Sequence, residues 1–493
     1  MKNKLLRITL YVLLFTVNIF ASDFNEVLKD IFNYQMETAQ KKLKKAKLTE
    51  SERNFAEGIY FFYEGKYGKS LERLNRSPVS SEFDWREHVR GMQEISAGFV
   101  QEKISGFLVR FYPADRIMLH YLRDLMPLIN RRMKQVFGMK ADGIVLEIYP
   151  DREKFLAASL LSEEEQKRSG TVAISKFNRL MIISPRLLPY GYNWRDTVCH
   201  EYIHCIIGHK TALNIPLYLN EGIARTCESL WREKEVSLEP AVKSTLGRAK
   251  ETGFIPFEKF RRGMPSLPNQ EEVSLAFAEV NYLVFSLIEN YGFKKLSGLL
   301  TGAGVLGFEN AFREQYGPPD EFLADYWSAL KNNDWQYRGV LPDFIYWEKT
   351  DEFALFSIKD FIRLGDRLRM EEEFPLALLQ YKKAEVKEPE NPIVLVKIAK
   401  TYEAMKEFDK AEKYFLQALA SGPDNFVCLT SFSRFLFNKE RFEECIPLLK
   451  KALERNPFYG EGYKMLAEIY KKQANPKAEE KYRRMVDATL PPP

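Results

Sequence analysis

This chain has few cysteines, few histidines, no strong excess of charge and no long internal apolar run, and each shortage excludes something. Cys199, Cys205, Cys227, Cys428 and Cys445 are the only five cysteines in 493 residues. They are too scattered for a disulfide framework, and their odd number leaves at least one unpaired within a monomer. Lys and Arg total 73 against 68 acids, a formal net charge of +5, which gives no case for nucleic acid as a partner. The longest apolar run, Ile8 to Phe20, falls short of the roughly 18 residues that a membrane-spanning helix needs. Apolar residues nevertheless make up 45% of the chain, enough for at least two buried cores and too many for a disordered protein.

Lys2, Lys4 and Arg7 precede that run, and Ala21-Ser22 follows it with small residues. This pattern predicts a secretory signal peptide over residues 1–22 and an exported protein, periplasmic or secreted. Membrane attachment is expected only if the segment stays uncleaved. Cleavage would leave no cysteine at the new terminus, so the lipoprotein route is not supported. Removing Lys2, Lys4 and Arg7 leaves 73 less three bases against 68 acids, or +2.

Although histidine occurs only five times, three of the five lie between residues 200 and 209. They begin with His200-Glu201-Tyr202-Ile203-His204. A four-residue step on an α-helix advances about 400°, so His200 and His204 share one face and Glu201 flanks it. Two imidazole ligands and a carboxylate base are thereby placed where a zinc-activated water needs them. A tetrahedral catalytic zinc takes a third protein ligand, and His209 and Glu221 are the candidates. Glu221 follows the turn Asn214-Ile215-Pro216, near the start of a helical segment that could return its carboxylate to the metal. Cys199 and Cys205 flank the motif but fall off the histidine face and read as core residues.

These residues resemble the gluzincin metallopeptidases, and within them the peptidase MA-like domains of bacterial exported proteins, often joined to tetratricopeptide repeats. The resemblance covers about half the chain. It rests on Tyr149-Pro150-Asp151-Arg152, Ser184-Pro185-Arg186, Trp194-Arg195-Asp196-Thr197, the His-Glu-x-x-His helix, Pro216 to Ala224 with its Asn220-Glu221-Gly222 core, and Leu275-Ala276-Phe277-Ala278. It implies one zinc ion per chain held by His200, His204 and Glu221, with Glu201 as general base and a peptide or protein as substrate. Members of that group often carry Tyr where this chain has Phe277, so Tyr282 is the substitute candidate for stabilising an oxyanion.

The expected fold is an α+β zincin-like catalytic domain followed by an all-α tetratricopeptide solenoid. Strands are expected at Gly106 to Phe111, Gly143 to Tyr149 and Leu180 to Ile183, with a helix from Arg116 to Phe137 between the first two. Asn193 and Asp196 resemble a capping box that starts the active-site helix near Trp194. Further helices are expected near 217–232, 274–291 and 318–331. The expected organisation is a signal peptide (1–22), an N-terminal helical region (23–98) with a repeat-like hairpin at 52–74, the peptidase domain (99–335), a junction (336–357) and the repeats (358–490).

The repeats are read from a 34-residue period, at which Phe374, Phe408 and Phe442 recur, as do Ala377, Ala411 and Cys445, and Pro389, Pro423 and Pro457. A fourth unit is expected to close out of register through Asn475-Pro476. Such an array implies a protein partner or a role in positioning substrate. Gly302 to Gly307 matches a dinucleotide fingerprint as a string, but the preceding residues are periodic in a helical sense and no nucleotide is expected. Two other readings fit the central motif. The histidines are ordinary half-buried polar residues or hold a structural metal, or the domain is a catalytically inactive metallopeptidase-like part of a repeat scaffold.

Overall fold

A computed structural model describes residues 22–139, 143–256, 259, 267–340 and 358–489. The proposed signal segment, apart from Ser22, and residues 341–357 of the junction lie outside the described residues. Among the described residues no helix is long and apolar enough to cross a membrane.

Five helices come first: α1 (Ser22–Phe32), α2 (Met36–Lys45), α3 (Glu50–Tyr63), α4 (Tyr67–Asn75) and α5 (Trp85–Ser96). Thr49 and Glu52 form a reciprocal capping box that starts α3. α3 and α4 make a tight hairpin in which Ser70 Oγ donates to the Gly58 carbonyl at 2.7 Å.

The sheet that follows is small and mixed. In chain order come β1 (Val100–Ile104), β2 (Phe107–Phe111), α6 (Met118–Phe137), β3 (Val145–Tyr149), α7 (Arg152–Ser159), α8 (Glu163–Ser169), β4 (Ala173–Lys176) and β5 (Arg179–Ile183). The spatial order is β1-β2-β3-β5-β4, parallel in the middle and antiparallel at both edges. Three of the strands coincide with the expected ones. The edge strands β1 and β4 are additions, being short and partly polar.

Strand alternation divides the sheet chemically. One face carries Arg110, Glu147, Tyr149 and Arg179, a buried charge network against the amino-terminal hairpin. Glu147 accepts from Arg110 at 3.0 Å, from Tyr67 at 2.5 Å and from Tyr149 at 2.7 Å. The Arg179 guanidinium lies 4.4 Å from the Phe62 ring centre. The opposite face receives α9 (Trp194–Thr211), where Tyr202 packs edge-on against Phe107 and Cys205 meets Ser175 of β4 at 3.1 Å. Trp194, Tyr202, Ile203, Ile206 and Ile207 are all fully buried, so α9 is apolar around most of its circumference.

The expected start of α9 is right and its expected cap is not. Asn193 makes no side-chain cap bond, and the Asp196 side chain accepts instead from Trp231 Nε1 at 2.7 Å and from Arg232.

Beyond α9 come α10 (Leu217–Cys227), α11 (Pro240–Thr252), α12 (Gln270–Leu306), α13 (Phe308–Tyr316) and α14 (Pro319–Asn332). α12 kinks at Gly292, where φ is 76°, which ends its first half close to the expected residue 291. The Gly302 to Gly307 string runs through the end of this helix. Gly304 lies so close to the Lys210 carbonyl that a Cβ would collide with it, so that glycine serves helix packing.

The carboxy-terminal region is all helical, in four hairpins: α15 (Lys359–Met370) with α16 (Phe374–Lys387), α17 (Pro392–Ala404) with α18 (Phe408–Ser421), α19 (Phe426–Asn438) with α20 (Phe442–Arg455), and α21 (Gly460–Lys472) with α22 (Pro476–Ala488). The last unit keeps the register that the sequence reading denied it: α22 starts at Pro476, one period after Phe442, with proline at N1 in place of phenylalanine. The array docks through the end of α20 on the start of α9, and through α21 on α6. Trp194 Nε1 donates to the Glu454 carbonyl at 2.8 Å, Arg195 pairs with Glu454 at 2.6 Å, and the Tyr121 and Tyr463 hydroxyls meet at 2.6 Å.

Candidate metal centre

α9 and α10 lie against each other and bring together residues far apart in the turn-separated sequence. His200 and His204 are one helical turn apart, with ring centres 4.7 Å from each other. Their Nε2 atoms both face Glu221 Oε2 at 3.5 Å. His200, His204 and Glu221 offer one ligand atom each within 4.8 Å of one another, the one such group among the described residues. Their side chains are 13%, 12% and 21% exposed, so the cluster is enclosed yet still open to water.

The other imidazole nitrogens are held. His200 Nδ1 meets Glu228 Oε2 at 2.9 Å, and His204 Nδ1 meets Asn220 Oδ1 at 2.9 Å. Such partners fix ring orientation and tautomer and leave Nε2 for a metal. Glu228 in turn is held by Arg225. Sequence reasoning missed both partners, though Glu228 stands seven residues after Glu221, two turns along the same helical stripe.

Glu221 is seated by close helix packing. At the neighbouring Gly222 a Cβ would lie 2.8 Å from both the Val280 carbonyl oxygen and Val284 Cγ2, so only glycine lets α10 approach α12 this closely.

Electrostatics follow from burial and from this clustering. Burial lowers the His200 pKa, but hydrogen bonds to Glu221 and Glu228 outweigh it and carry the pKa up to about 10. Burial raises that of Glu221, and the two imidazoles more than reverse it. Glu201, 6% exposed, has its carboxyl pushed above the usual range by burial, against the pull of His204 and His200 and of a backbone hydrogen bond at Ser175 on β4.

Of the two third-ligand candidates, Glu221 is in the cluster and His209 is not: His209 Nε2 pairs with Asn178 Oδ1 at 2.9 Å. Phe277 lies beside His200, with ring centres 6.5 Å apart. Tyr282, the substitute oxyanion candidate, is turned elsewhere, its ring packed on Trp335 at 5.1 Å and Tyr326 at 5.8 Å. Five residues from Phe277 is about 500°, which puts Tyr282 well off the face that meets His200. All five cysteines are buried and free.

Residues 130–333 match the Peptidase MA superfamily, a group that is typically metal-dependent, and residues 393–425 match a tetratricopeptide repeat. The first match runs from within α6 through α14 and takes in the whole His-His-Glu cluster. The second coincides with α17, α18 and the turn after them. Comparison with curated proteins gives no match.

Proposed function

We propose that this protein is an exported zinc-dependent metallopeptidase of the gluzincin type, with His200, His204 and Glu221 holding one zinc ion per chain and Glu201 as general base. The repeats position a peptide substrate or a protein partner. The carrying observation is the convergence of two Nε2 atoms and a carboxylate from α9 and α10. The donor set suits zinc, since two imidazoles and one carboxylate with their outer atoms already engaged leave a coordination position for water.

When bound, zinc supplies Lewis-acid polarisation of the scissile carbonyl and lowers the pKa of a water to about 7. Glu201 accepts a proton from the attacking water and returns it to the leaving amine. Its carboxyl is buried beside the cluster, and burial raises its pKa above the usual carboxylate range. Beside it runs β4, an antiparallel edge strand of the sheet among the described residues, along which an extended peptide would add as a further strand. Export rests on the composition of residues 1–22.

A second reading, an inactive metallopeptidase-like domain in an interaction scaffold, draws on Phe277, which puts a phenyl ring and no hydroxyl beside His200. Turnover by the wild type and by Glu201→Gln separates the two. Cleavage of an unstructured protein pool by the wild type alone supports the enzyme. Zinc without cleavage in either protein supports the scaffold.

A further inference from the structure

Two ties clasp the first turns of α9 to the segment that follows α10. One is His200 Nδ1 to Glu228 Oε2 at 2.9 Å. The other lies one turn earlier on α9, where Asp196 accepts from Trp231 Nε1 at 2.7 Å and from Arg232. Trp231 belongs to the short turn Leu230–Arg232, directly after Glu228 in the chain, and is 5% exposed. The way Trp231 seats on α9 therefore governs how Glu228 meets His200.

Trp231 is in turn held from the repeats. The guanidinium groups of Arg195 and Arg232 each lie 4.3 Å from its ring centre. Two like charges on one buried indole gain from its π face and repel each other, so each needs a carboxylate of its own. Arg232 has Asp196, and Asp424, in the turn that joins α18 to α19, acts on it at longer range. Arg195, 13% exposed, pairs at 2.6 Å with Glu454 at the end of α20, its one ion pair among the described residues. The Glu454 carbonyl also accepts from Trp194 Nε1 at 2.8 Å, so a single residue of the array fixes both residues that open α9.

We propose that the docked array is a regulatory brace for the metal centre. Glu454, acting through Arg195 and Trp231, sets the position of Glu228 and with it the His200 ring, and drawing the array off α9 weakens metal binding. Trp231 and Glu454 are positioning residues, outside the ligand set. The coupling is reciprocal, so metal at His200 favours the docked array. This inference rests on reading His200, His204 and Glu221 as metal ligands, and it adds how their geometry is controlled.

The test is competition for zinc against a chromogenic chelator with the full chain, beside the visible absorption of the cobalt-loaded protein, whose bands report ligand geometry. Loss of a group that touches a ligand costs about 10- to 100-fold in metal affinity, and Glu454→Lys, acting from further out, is expected to cost about three- to tenfold and to alter the cobalt bands. Glu454→Asp restores both toward wild type. Trp231→Phe keeps a ring but loses the hydrogen bond to Asp196, and is expected to act in the same direction. Tyr463→Phe removes the Tyr121 contact elsewhere on the docking surface and leaves affinity and bands unchanged. Should Glu454→Lys fold poorly by circular dichroism, Glu454→Gln carries the comparison, with a smaller loss in the same direction. Wild-type affinity and bands in the folded Glu454 and Trp231 variants overturn the proposal, and so does an equal loss in Tyr463→Phe, which would show a general loosening and no route through Glu454. A wild type that takes up no metal overturns the proposal together with the ligand assignment, whereas normal zinc uptake with unaffected variants overturns the proposal alone.

Discussion

Glu228 is the residue outside the proposed ligand set on which that set most depends. Its Oε2 holds His200 Nδ1 at 2.9 Å, its other oxygen is held by Arg225, and its side chain is only 13% exposed. Glu228→Ala frees the His200 ring to rotate about χ2 and removes the acceptor that keeps the proton on Nδ1. It also leaves Arg225 without its carboxylate at Glu228. Losing such a partner typically costs about 10- to 100-fold in metal affinity, or about 1.4 to 2.7 kcal/mol. Glu228→Gln keeps an acceptor oxygen but loses the charge, and is expected to fall between wild type and Glu228→Ala. The assay is competition for zinc against a chromogenic chelator, with thermal unfolding of the zinc-free proteins as the control for folding. Unchanged zinc affinity in a folded Glu228→Ala protein would refute the reasoning, because His200 would then be oriented by something else or would not be a ligand.

Two further outcomes follow from the packing. Gly222→Ala pushes a methyl group against the Val280 carbonyl and Val284, 2.8 Å away, and is expected to cost about 1–3 kcal/mol in denaturant unfolding while weakening zinc binding through the displaced Glu221. Wild-type stability and affinity in that variant would show that α10 and α12 have room to part. Glu279 is fully buried, with one oxygen accepting from the Ile255 amide and the other unpartnered, and burial pushes its pKa from 4.5 up to about 8. A raised carboxyl stabilises the fold in its protonated form, so that contribution is complete below about pH 4.5 and is lost as the pH rises through about 8. Glu279→Gln removes the titration, and the melting temperature of the variant relative to wild type should therefore climb across that window. Parallel melting curves from pH 5 to 8 would contradict it.

How much of this was legible beforehand depended on whether the signal was local. The helix spacing of His200 and His204 and the repeat period are short-range patterns, and they sufficed to anticipate both the α+β domain and the helical array. α9 has no amphipathic face to read, because it is buried nearly all round, so only the motif marked it. The capping box failed for a tertiary reason, since Trp231 and Arg232, more than thirty residues on, claim Asp196. Glu228 and Asn220 became visible only once α10 lay beside α9. Tyr282 was named as the substitute for the tyrosine that the Phe277 position lacks, and helical phase turns it toward Trp335. β4 is only four residues long and half polar, yet its Ser175 backbone reaches Glu201.

The central claim is that the His-His-Glu cluster holds a zinc ion used for hydrolysis with Glu201 as base. The most direct measurement is zinc content together with cleavage of an unstructured protein pool by purified wild type and Glu201→Gln. The account predicts about one zinc per chain in both proteins, with turnover in the variant reduced by about 10² to 10⁴. Zinc-free protein, or a variant that cleaves at the wild-type rate, would contradict it.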